Sequence, residues 1–258
     1  MIELAFTEPI GPSGAPLLIL GPSLGTSTIL WESVAPTLAT SHRVVAWDLP
    51  GHGASTPATV PFSVSDLADA VAAAVRDRGA DSVRYAGVSL GGAVGLELLL
   101  RHPTLVERGA ILCSGAVIGE AAAWRERAAR VRAESTSALI IASAQRWFAP
   151  GSVAAHPDLT GRLLHALQDA DDESYARCCE ALAEYDVRAR LHEIDAPVLA
   201  IWGERDQVTP ESSAREIADG VRDGRTAGVA SASHLAPVDA PAEISALLDD
   251  FLNERSRR

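Results

Sequence analysis

A serine flanked by glycines is the feature of this chain whose residue types point most directly to chemistry. Residues 87–91 read Gly-Val-Ser-Leu-Gly, with Ser89 at the centre, between an apolar run at 82–86 and a helix-like run at 92–101. This G-x-S-x-G pattern between a strand and a helix is typical of a nucleophile elbow, a sharp turn that lifts the hydroxyl above a sheet. Side chains in place of the two glycines would collide with the crowded backbone. Ser89 is therefore predicted to be a nucleophile.

A nucleophilic serine needs a base, and the base needs a carboxylate that orients it. His234 follows the last strand-like run of the chain, and Asp206 follows the strand-like run before it. The order Ser, Asp, His is the one found in hydrolases that carry a nucleophile elbow. Glu204, two residues before Asp206, remains an alternative for the acid. The sequence thus predicts a catalytic triad of Ser89, Asp206 and His234, which needs no metal and no organic cofactor.

Acyl transfer also requires donors for the oxyanion that forms on the attacked carbonyl. The helix that follows Ser89 directs its free N–H groups toward this space, and the N–H of Leu90 is the first of them. The second donor is expected in the loop after the short apolar strand at 17–20. Pro22 in this loop has no N–H, so we predict that the N–H of Leu24 is the second donor.

The elements around these loops alternate between continuous apolar strands and amphipathic helices, beginning with a strand predicted at 2–6. Such alternation predicts a mostly parallel central sheet with helices on both faces. Only helical patterns occur at 119–190, after the strand that ends near Cys113, and they predict a cap over the carboxyl edge of the sheet. We therefore expect an α/β-hydrolase fold with a core at 1–118 and 191–258 and an all-helical cap at 119–190.

Composition restricts the partners and the compartment. The chain has 258 residues, 47% of them hydrophobic, and a formal net charge of −12. This charge opposes binding to nucleic acids or to anionic membranes, and no run approaches the ~20 apolar residues that span a bilayer. The three cysteines lack the spacing of a disulfide framework or a zinc site, and the start of the chain does not resemble an export signal. We expect a cytoplasmic protein, and the sequence does not predict its oligomeric state.

Several short motifs are shared with one family of hydrolases. They are Gly-Pro-Ser-Leu-Gly-Thr at 21–26, Trp31, Asp-Leu-Pro-Gly-His-Gly at 48–53, the elbow extended to Gly92, Trp124-x-x-Arg127, Arg-Trp-Phe at 146–148, and Tyr175-x-x-Cys178-Cys179. Together they resemble 3-oxoadipate enol-lactonases over nearly the whole chain, although many relatives have Asn where this chain has Pro22. The resemblance implies hydrolysis of an enol-lactone with an acetate side chain in bacterial degradation of protocatechuate and catechol. Our candidates for contact with this substrate are Ser23, Trp124, Arg127 and Trp147.

An anionic lactone in a protein of this net charge needs a local cation. Trp124, Arg127 and Val131 share one face of a predicted cap helix, so Arg127 can bind a carboxylate while Trp124 covers the ring. The alternative is that Arg127 only solvates the helix surface. In that case Arg130, Arg146 or another residue would be the anchor.

Other functions share the same triad and remain open from the residues alone. They are a carboxylesterase, a carbon–carbon bond hydrolase of meta-cleavage products and a cofactor-free perhydrolase. A haloalkane dehalogenase is disfavoured because the elbow carries Ser89 rather than Asp. A non-enzymatic ligand-binding module is a further alternative, since this fold also serves in receptors, but the complete triad favours an enzyme.

Overall fold

The computed structural model describes residues 2–254, so residue 1 and residues 255–258, the outer ends of the two predicted core segments, lie outside the described residues. A single six-stranded sheet runs through the centre, and every pair of neighbouring strands in it is parallel. Its strands are Leu17–Gly21 (β1), Arg43–Ala46 (β2), Val83–Val88 (β3), Val106–Leu112 (β4), Val198–Gly203 (β5) and Gly224–Val229 (β6).

The strand order is β2-β1-β3-β4-β5-β6, so the chain reverses its direction of winding between β1 and β3. The register aligns Gly21 with Gly87 and Gly203 with Val229 at the carboxyl ends. Because all strands are parallel, the loops that follow β1, β3, β5 and β6 meet at one edge of the sheet. Ligands of open α/β folds bind at this edge, outside the carboxyl ends of the strands.

Helices cover both faces of the sheet and its carboxyl edge. They are Ala35–Leu38 (α1), Val64–Asp77 (α2), Leu90–Arg101 (α3), Ala121–Glu134 (α4), Ile140–Trp147 (α5), Ser152–Ala155 (α6), Pro157–Asp169 (α7), Asp172–Ala183 (α8), Glu211–Gly220 (α9), Ala236–Asp239 (α10) and Pro241–Asn253 (α11), with short 3-10 helices at Thr28–Trp31, Thr136–Leu139 and Arg188–Glu193. No helix in the described range is both long and apolar enough to cross a membrane.

The apolar pattern of each helix indicates whether the helix is buried or faces solvent, as α3 and α2 show. Helix α3 is apolar almost all round, as expected of a helix without a solvent face, and ten of its twelve residues are buried. It packs against β1, β3 and β4 on one side and against α2 on the other. By contrast, α2 is amphipathic and begins with a capping box between Ser63 and Asp66, which satisfies N–H groups at its start.

The predicted fold class is confirmed, but the strand predicted at 2–6 is wrong. Within that segment Phe6 forms one isolated antiparallel bridge, to Trp47 just after β2. A second isolated bridge joins Ile10 to Val44, and the two do not merge into a continuous ladder because Pro9, between them, has no N–H to donate. Gly11 then turns the chain at a φ of 98°. The other predicted strands and helices occur with boundaries shifted by a few residues.

Between β4 and β5 the chain contains helices only, from α4 to the 3-10 helix that ends at Glu193. Helices α4 and α8 pack against each other, and α8 contacts α2 of the core. The two ends of this segment are joined by a hydrogen bond of 2.9 Å from the N–H of Val187 to the carbonyl of Ala116. The segment corresponds to the cap predicted at 119–190, and its division from the core as a separate unit stays a prediction.

Candidate active site

Ser89 lies between the end of β3 and the start of α3, in a backbone conformation with φ 54° and ψ −116°. A positive φ is uncommon for a residue with a side chain and persists only where the surroundings enforce it. The N–H of Ser89 donates to the carbonyl of Leu112 at 2.9 Å, which fixes the turn to β4. A Cβ at Gly87 would collide with the Gly91 backbone, and one at Gly91 with the backbone of residues 21 and 22. The glycines of the elbow are therefore required by close backbone contacts.

The elbow is also held from the neighbouring strand. Ser114, two residues after β4, donates its hydroxyl to the carbonyl of Ser89 at 2.8 Å. The residue before it, Cys113, has a φ of 44°, a second positive value for a residue with a side chain. No sequence signal identifies Ser114, because its acceptor is a backbone carbonyl 25 positions away and no local pattern reports such a contact.

Asp206 and His234 are brought together as predicted from the sequence. The Nδ1 of His234 lies 2.8 Å from Oδ2 of Asp206, and both side chains are buried. Thr209 donates its hydroxyl to the same Asp206 oxygen at 2.7 Å, and the N–H of Val208 donates to the other oxygen at 2.8 Å. Glu204, the alternative acid, is exposed. The contact with the carboxylate favours a proton on Nδ1 and leaves Nε2 available as a base.

The electrostatics favour an ionised carboxylate at Asp206. Burial raises the pKa of Asp206, but the charge of His234 and the hydrogen bonds from His234, Thr209 and Val208 outweigh it and hold the pKa below the ordinary value. A carboxylate that stays charged near neutral pH can stabilise the imidazolium formed when His234 takes a proton.

One cavity of about 260 Å³ lies at the carboxyl edge, between the core loops and the cap helices. It brings together the predicted nucleophile, the predicted base and all the predicted substrate-binding residues. Of the predicted site residues, its walls include Ser23, Leu24, Ser89, Trp124, Arg127, Trp147 and His234. A larger polar hollow of about 650 Å³ adjoins it beyond Arg146 and Gln207, which line both spaces.

The loop that carries the predicted second oxyanion donor has a defined shape. The hydroxyl of Thr26 donates to the carbonyl of Ser23 at 2.8 Å and accepts from the N–H of Ser23 at 3.1 Å. The carbonyl of Pro22 accepts the N–H of Gly91 at 2.9 Å, which holds this loop against the start of α3. Leu24, which lines the cavity, is therefore carried by a loop that lies against the start of α3. Leu90 is the first residue of this helix, and its N–H has no acceptor within the helix.

Two arginines of the cap line the cavity. The guanidinium of Arg127 lies 5.0 Å from the centre of the Trp124 ring. Arg146 is half-buried, and its Nε donates to the carbonyl of Ala142 at 3.1 Å. Burial and the nearby charge of Arg127 lower the pKa of Arg146. Two positive charges on one small cavity favour an anionic ligand.

Neither of these two arginines forms an ion pair with a residue in the range 2–254, although Glu120 also lines the cavity. The remaining arginines of α4 are paired with carboxylates on the exposed side of the cap, which removes Arg130 as an anchor. These pairs are Arg125 with Glu184, Arg130 with Glu134, and Arg132 with Glu173 and Glu180.

The two other predicted contact residues, Ser23 and Trp147, line the same cavity. Ser23 is 1% exposed and lies in the loop after β1. Trp147 ends α5, packs edge-on against Phe148 with ring centres 6.2 Å apart, and is 6% exposed. In the part of the chain that the structure describes, there is no group of three or more His, Cys, Asp or Glu side chains arranged to hold a metal ion.

Comparison with known proteins agrees with the fold. Residues 16–241 match the model of the α/β hydrolase fold family. The chain belongs to this family, which confirms the predicted fold class.

Individual relatives indicate which type of hydrolase the chain is similar to. The chain is 34% identical to 3-oxoadipate enol-lactonase 2 of Acinetobacter baylyi, over 90% of this chain and 86% of that protein. It is 28% identical to 3-oxoadipate enol-lactonase 1 of the same organism, over 94% and 90% of the two chains. The crystal structure of the enol-lactonase from Burkholderia xenovorans LB400 superposes with a TM-score of 0.94 at 29% identity, over 98% and 97% of the chains. The resemblance and the enzyme class expected from the sequence, an ester hydrolase, are confirmed.

Proposed function

We propose that this protein hydrolyses 3-oxoadipate enol-lactone to 3-oxoadipate in the bacterial degradation of protocatechuate and catechol, in the cytoplasm. The observation that carries the proposal is the pairing of two features in one cavity. Ser89 and His234 line it beside Leu24, and Arg127 and Arg146 line it without a carboxylate partner among residues 2–254. The first feature suits acyl transfer, and the second suits a substrate that carries a carboxylate.

The first half of the proposed reaction forms an acyl-enzyme. His234 takes the proton of Ser89 as its hydroxyl attacks the lactone carbonyl, while Asp206 holds the imidazole and stabilises its positive charge. The N–H groups of Leu24 and Leu90 donate to the oxyanion that develops on the carbonyl. The ring opens when the carbon–oxygen bond of the lactone breaks, and His234 returns the proton as the enolate leaves and ketonises.

The second half releases the product. His234 removes a proton from water, the hydroxide attacks the acyl carbonyl, and the bond to Ser89 breaks with its oxygen taking the proton back from His234. The product has one carboxylate more than the lactone. Direct attack of activated water on the lactone, without an acyl-serine, is a variant of this mechanism that uses the same base.

Specificity would come from the cap. The guanidinium of Arg127 offers two parallel donors to the acetate carboxylate, and Trp124 lies beside it to cover the flat ring. Arg146 adds a second positive charge from another helix, and Trp147 closes the cavity wall next to it. In this arrangement Ser23 lies near the nucleophile, where it can contact the lactone.

The experiment is a spectroscopic assay with purified protein. Loss of the ultraviolet absorbance of the enol-lactone is followed for the wild-type protein and for Ser89→Ala at equal concentration. We expect rapid turnover by the wild-type protein and an inert variant. Faster hydrolysis of a neutral ester than of the lactone would contradict the proposal and indicate a carboxylesterase. Lactone hydrolysis by Ser89→Ala at the wild-type rate would remove Ser89 from the mechanism.

A further inference from the structure

Asp239 is a carboxylate outside the triad that lies against the backbone of both the core and the cap. It is the last residue of α10, and it is half-buried. Its Oδ2 accepts the N–H of Ser233 at 2.7 Å, and both oxygens lie 3.1 Å from the N–H of Ala149. One side chain thus joins the residue before His234 to the cap chain just after α5.

Two further hydrogen bonds connect residues 233–235, around His234, to residues 146–149 at the end of α5, a contact region that we call the joint. The hydroxyl of Ser233 donates to the carbonyl of Arg146 at 3.0 Å. The N–H of Leu235 donates to the carbonyl of Trp147 at 2.9 Å. Both neighbours of His234 in the chain are therefore bonded to the last turn of α5. The side chains of that same turn, at Arg146 and Trp147, line the cavity.

This joint sets the position of the base relative to the cavity wall. Asp206 fixes the ring of His234 through Nδ1, but it does not fix the loop on which the ring is carried. Hydrogen bonds between charged groups and backbone N–H groups are the stronger kind, and a carboxylate that bonds two backbone N–H groups restrains both of them together. Small displacements of a base from its productive geometry lower rates strongly.

We propose that Asp239 is a positioning residue for the reaction, one that keeps the His234 loop and the wall formed by Arg146 and Trp147 in a fixed relative position. Asp239 itself does not touch the substrate. The inference about the wall rests on the proposed function, whereas the inference about His234 applies to any reaction at Ser89.

The test compares Asp239→Asn with Val238→Ala, a matched control in the same short helix. The Asn variant keeps the size of the side chain but turns one acceptor into a donor that faces backbone N–H groups. The control removes two methyl groups from a residue that is 1% exposed, so it destabilises the helix while the carboxylate remains. Each variant is first examined by thermal unfolding, and rates are measured where both are folded.

The main readout is the rate at which a neutral fluorophosphonate modifies Ser89, because this reaction needs the nucleophile and the base but no carboxylate site. We expect Asp239→Asn to slow modification at least tenfold, and Val238→Ala to stay within about twofold of the wild-type rate. In the lactone assay the Asn variant should also have a lower kcat and a higher KM. Equal modification rates in the two variants would overturn the proposal. An unchanged KM of Asp239→Asn for the lactone would overturn the part of the proposal that concerns the position of Arg146 and Trp147.

A second variant covers the case in which Asp239→Asn does not fold. Ser233→Ala removes the hydroxyl bond to the carbonyl of Arg146 across the same joint, together with the longer one of 3.3 Å to the carbonyl of Arg205, and we expect it to slow modification about threefold. Modification at the wild-type rate would then overturn the proposal. If the wild-type protein reacts with the fluorophosphonate but does not hydrolyse the lactone, the proposed function fails while the modification rates still decide the role of Asp239.

Discussion

The Nε2 of His52 accepts a hydrogen bond of 3.2 Å from the backbone N–H of Gly25. The Nδ1 of the same ring bonds the carbonyl of Pro50 at 2.9 Å, so the ring is neutral with its proton on Nδ1. The ring also stacks on Tyr175 of the cap, with ring centres 6.0 Å apart. Since Gly25 follows Leu24, this histidine supports the loop that carries a predicted oxyanion donor.

The neutral state of His52 predicts a dependence of stability on pH. Burial lowers the pKa of His52 to about 4, against about 6.5 in the unfolded chain. Between these values the unfolded state binds a proton that the folded state does not, so stability decreases as the pH falls from about 6.5 to about 4. Over the whole of this pH range, the shift in the pKa of His52 corresponds to a loss of about 3 kcal/mol in the free energy of unfolding.

The measurement is urea unfolding of the wild-type protein and of His52→Gln at pH 7 and pH 5. Glutamine does not titrate, so the variant should lose less unfolding free energy than the wild-type protein over this range. His42, whose pKa is also lowered by burial, contributes equally to both proteins and cancels in the comparison. The same pH dependence in both proteins would contradict the assignment to His52.

Asp206→Asn tests the acid of the triad. Asparagine at this position can hold the imidazole in the wrong tautomer, which lowers kcat by about four orders of magnitude in a serine protease. We expect a loss of similar size in the enol-lactone assay, with an unchanged circular dichroism spectrum. Glu204→Gln is the matched control because Glu204 is exposed, and it should retain the wild-type rate. The reverse ranking of the two variants would transfer the role to Glu204.

Arg127→Ala tests the anion site. Loss of a hydrogen bond to a charged group weakens binding by about 1.5 to 3 kcal/mol, so KM for the lactone should increase at least about tenfold. Hydrolysis of a neutral ester should be nearly unchanged. Arg130→Ala on the same helix is the control, because Arg130 pairs with Glu134 on the cap surface. An equal loss on both substrates would mean that Arg127 has a structural role.

The cysteines are expected to be dispensable for chemistry. All three, Cys113, Cys178 and Cys179, are buried. Burial raises the pKa of the Cys179 thiol to about 12 and that of the other two above the ordinary value, so the reactive thiolate is scarce near neutral pH. Iodoacetamide at pH 7.5 should leave mass and activity unchanged, and should add three groups only in urea. Inactivation of the folded protein would contradict this prediction.

Much of the fold could be predicted because each strand carries its own signal. The loops after β3 and β5 follow apolar runs, the loop after β6 follows a weaker strand signal, and parallel strands bring their carboxyl ends to one edge. The contact between Asp206 and His234 follows from that arrangement, although 28 positions separate them. The segment at 2–6 shows the limit, because alternation predicts a strand without reporting whether a partner continues beside it.

The supporting contacts could not be predicted, because their partners are backbone atoms. Ser114 bonds the carbonyl of Ser89, and Gly25 donates to His52, and neither acceptor nor donor depends on the type of side chain present. Helical spacing identified Arg127 beside Trp124, since both lie on α4. It could not select Arg146, which reaches the same cavity from α5 through the packing of two helices.

The hydrogen bond between Ala116 and Val187 has a consequence for how such proteins diversify. The segment between these two residues leaves the core and rejoins it at almost the same place, so recombination could exchange it for a segment of another length without changing the sheet. The joint at Asp239 limits which exchanges succeed. A transplanted segment would have to present a backbone N–H where Ala149 now lies. Chimaeras chosen for this one donor should retain a competent histidine loop more often than chimaeras chosen for overall sequence identity.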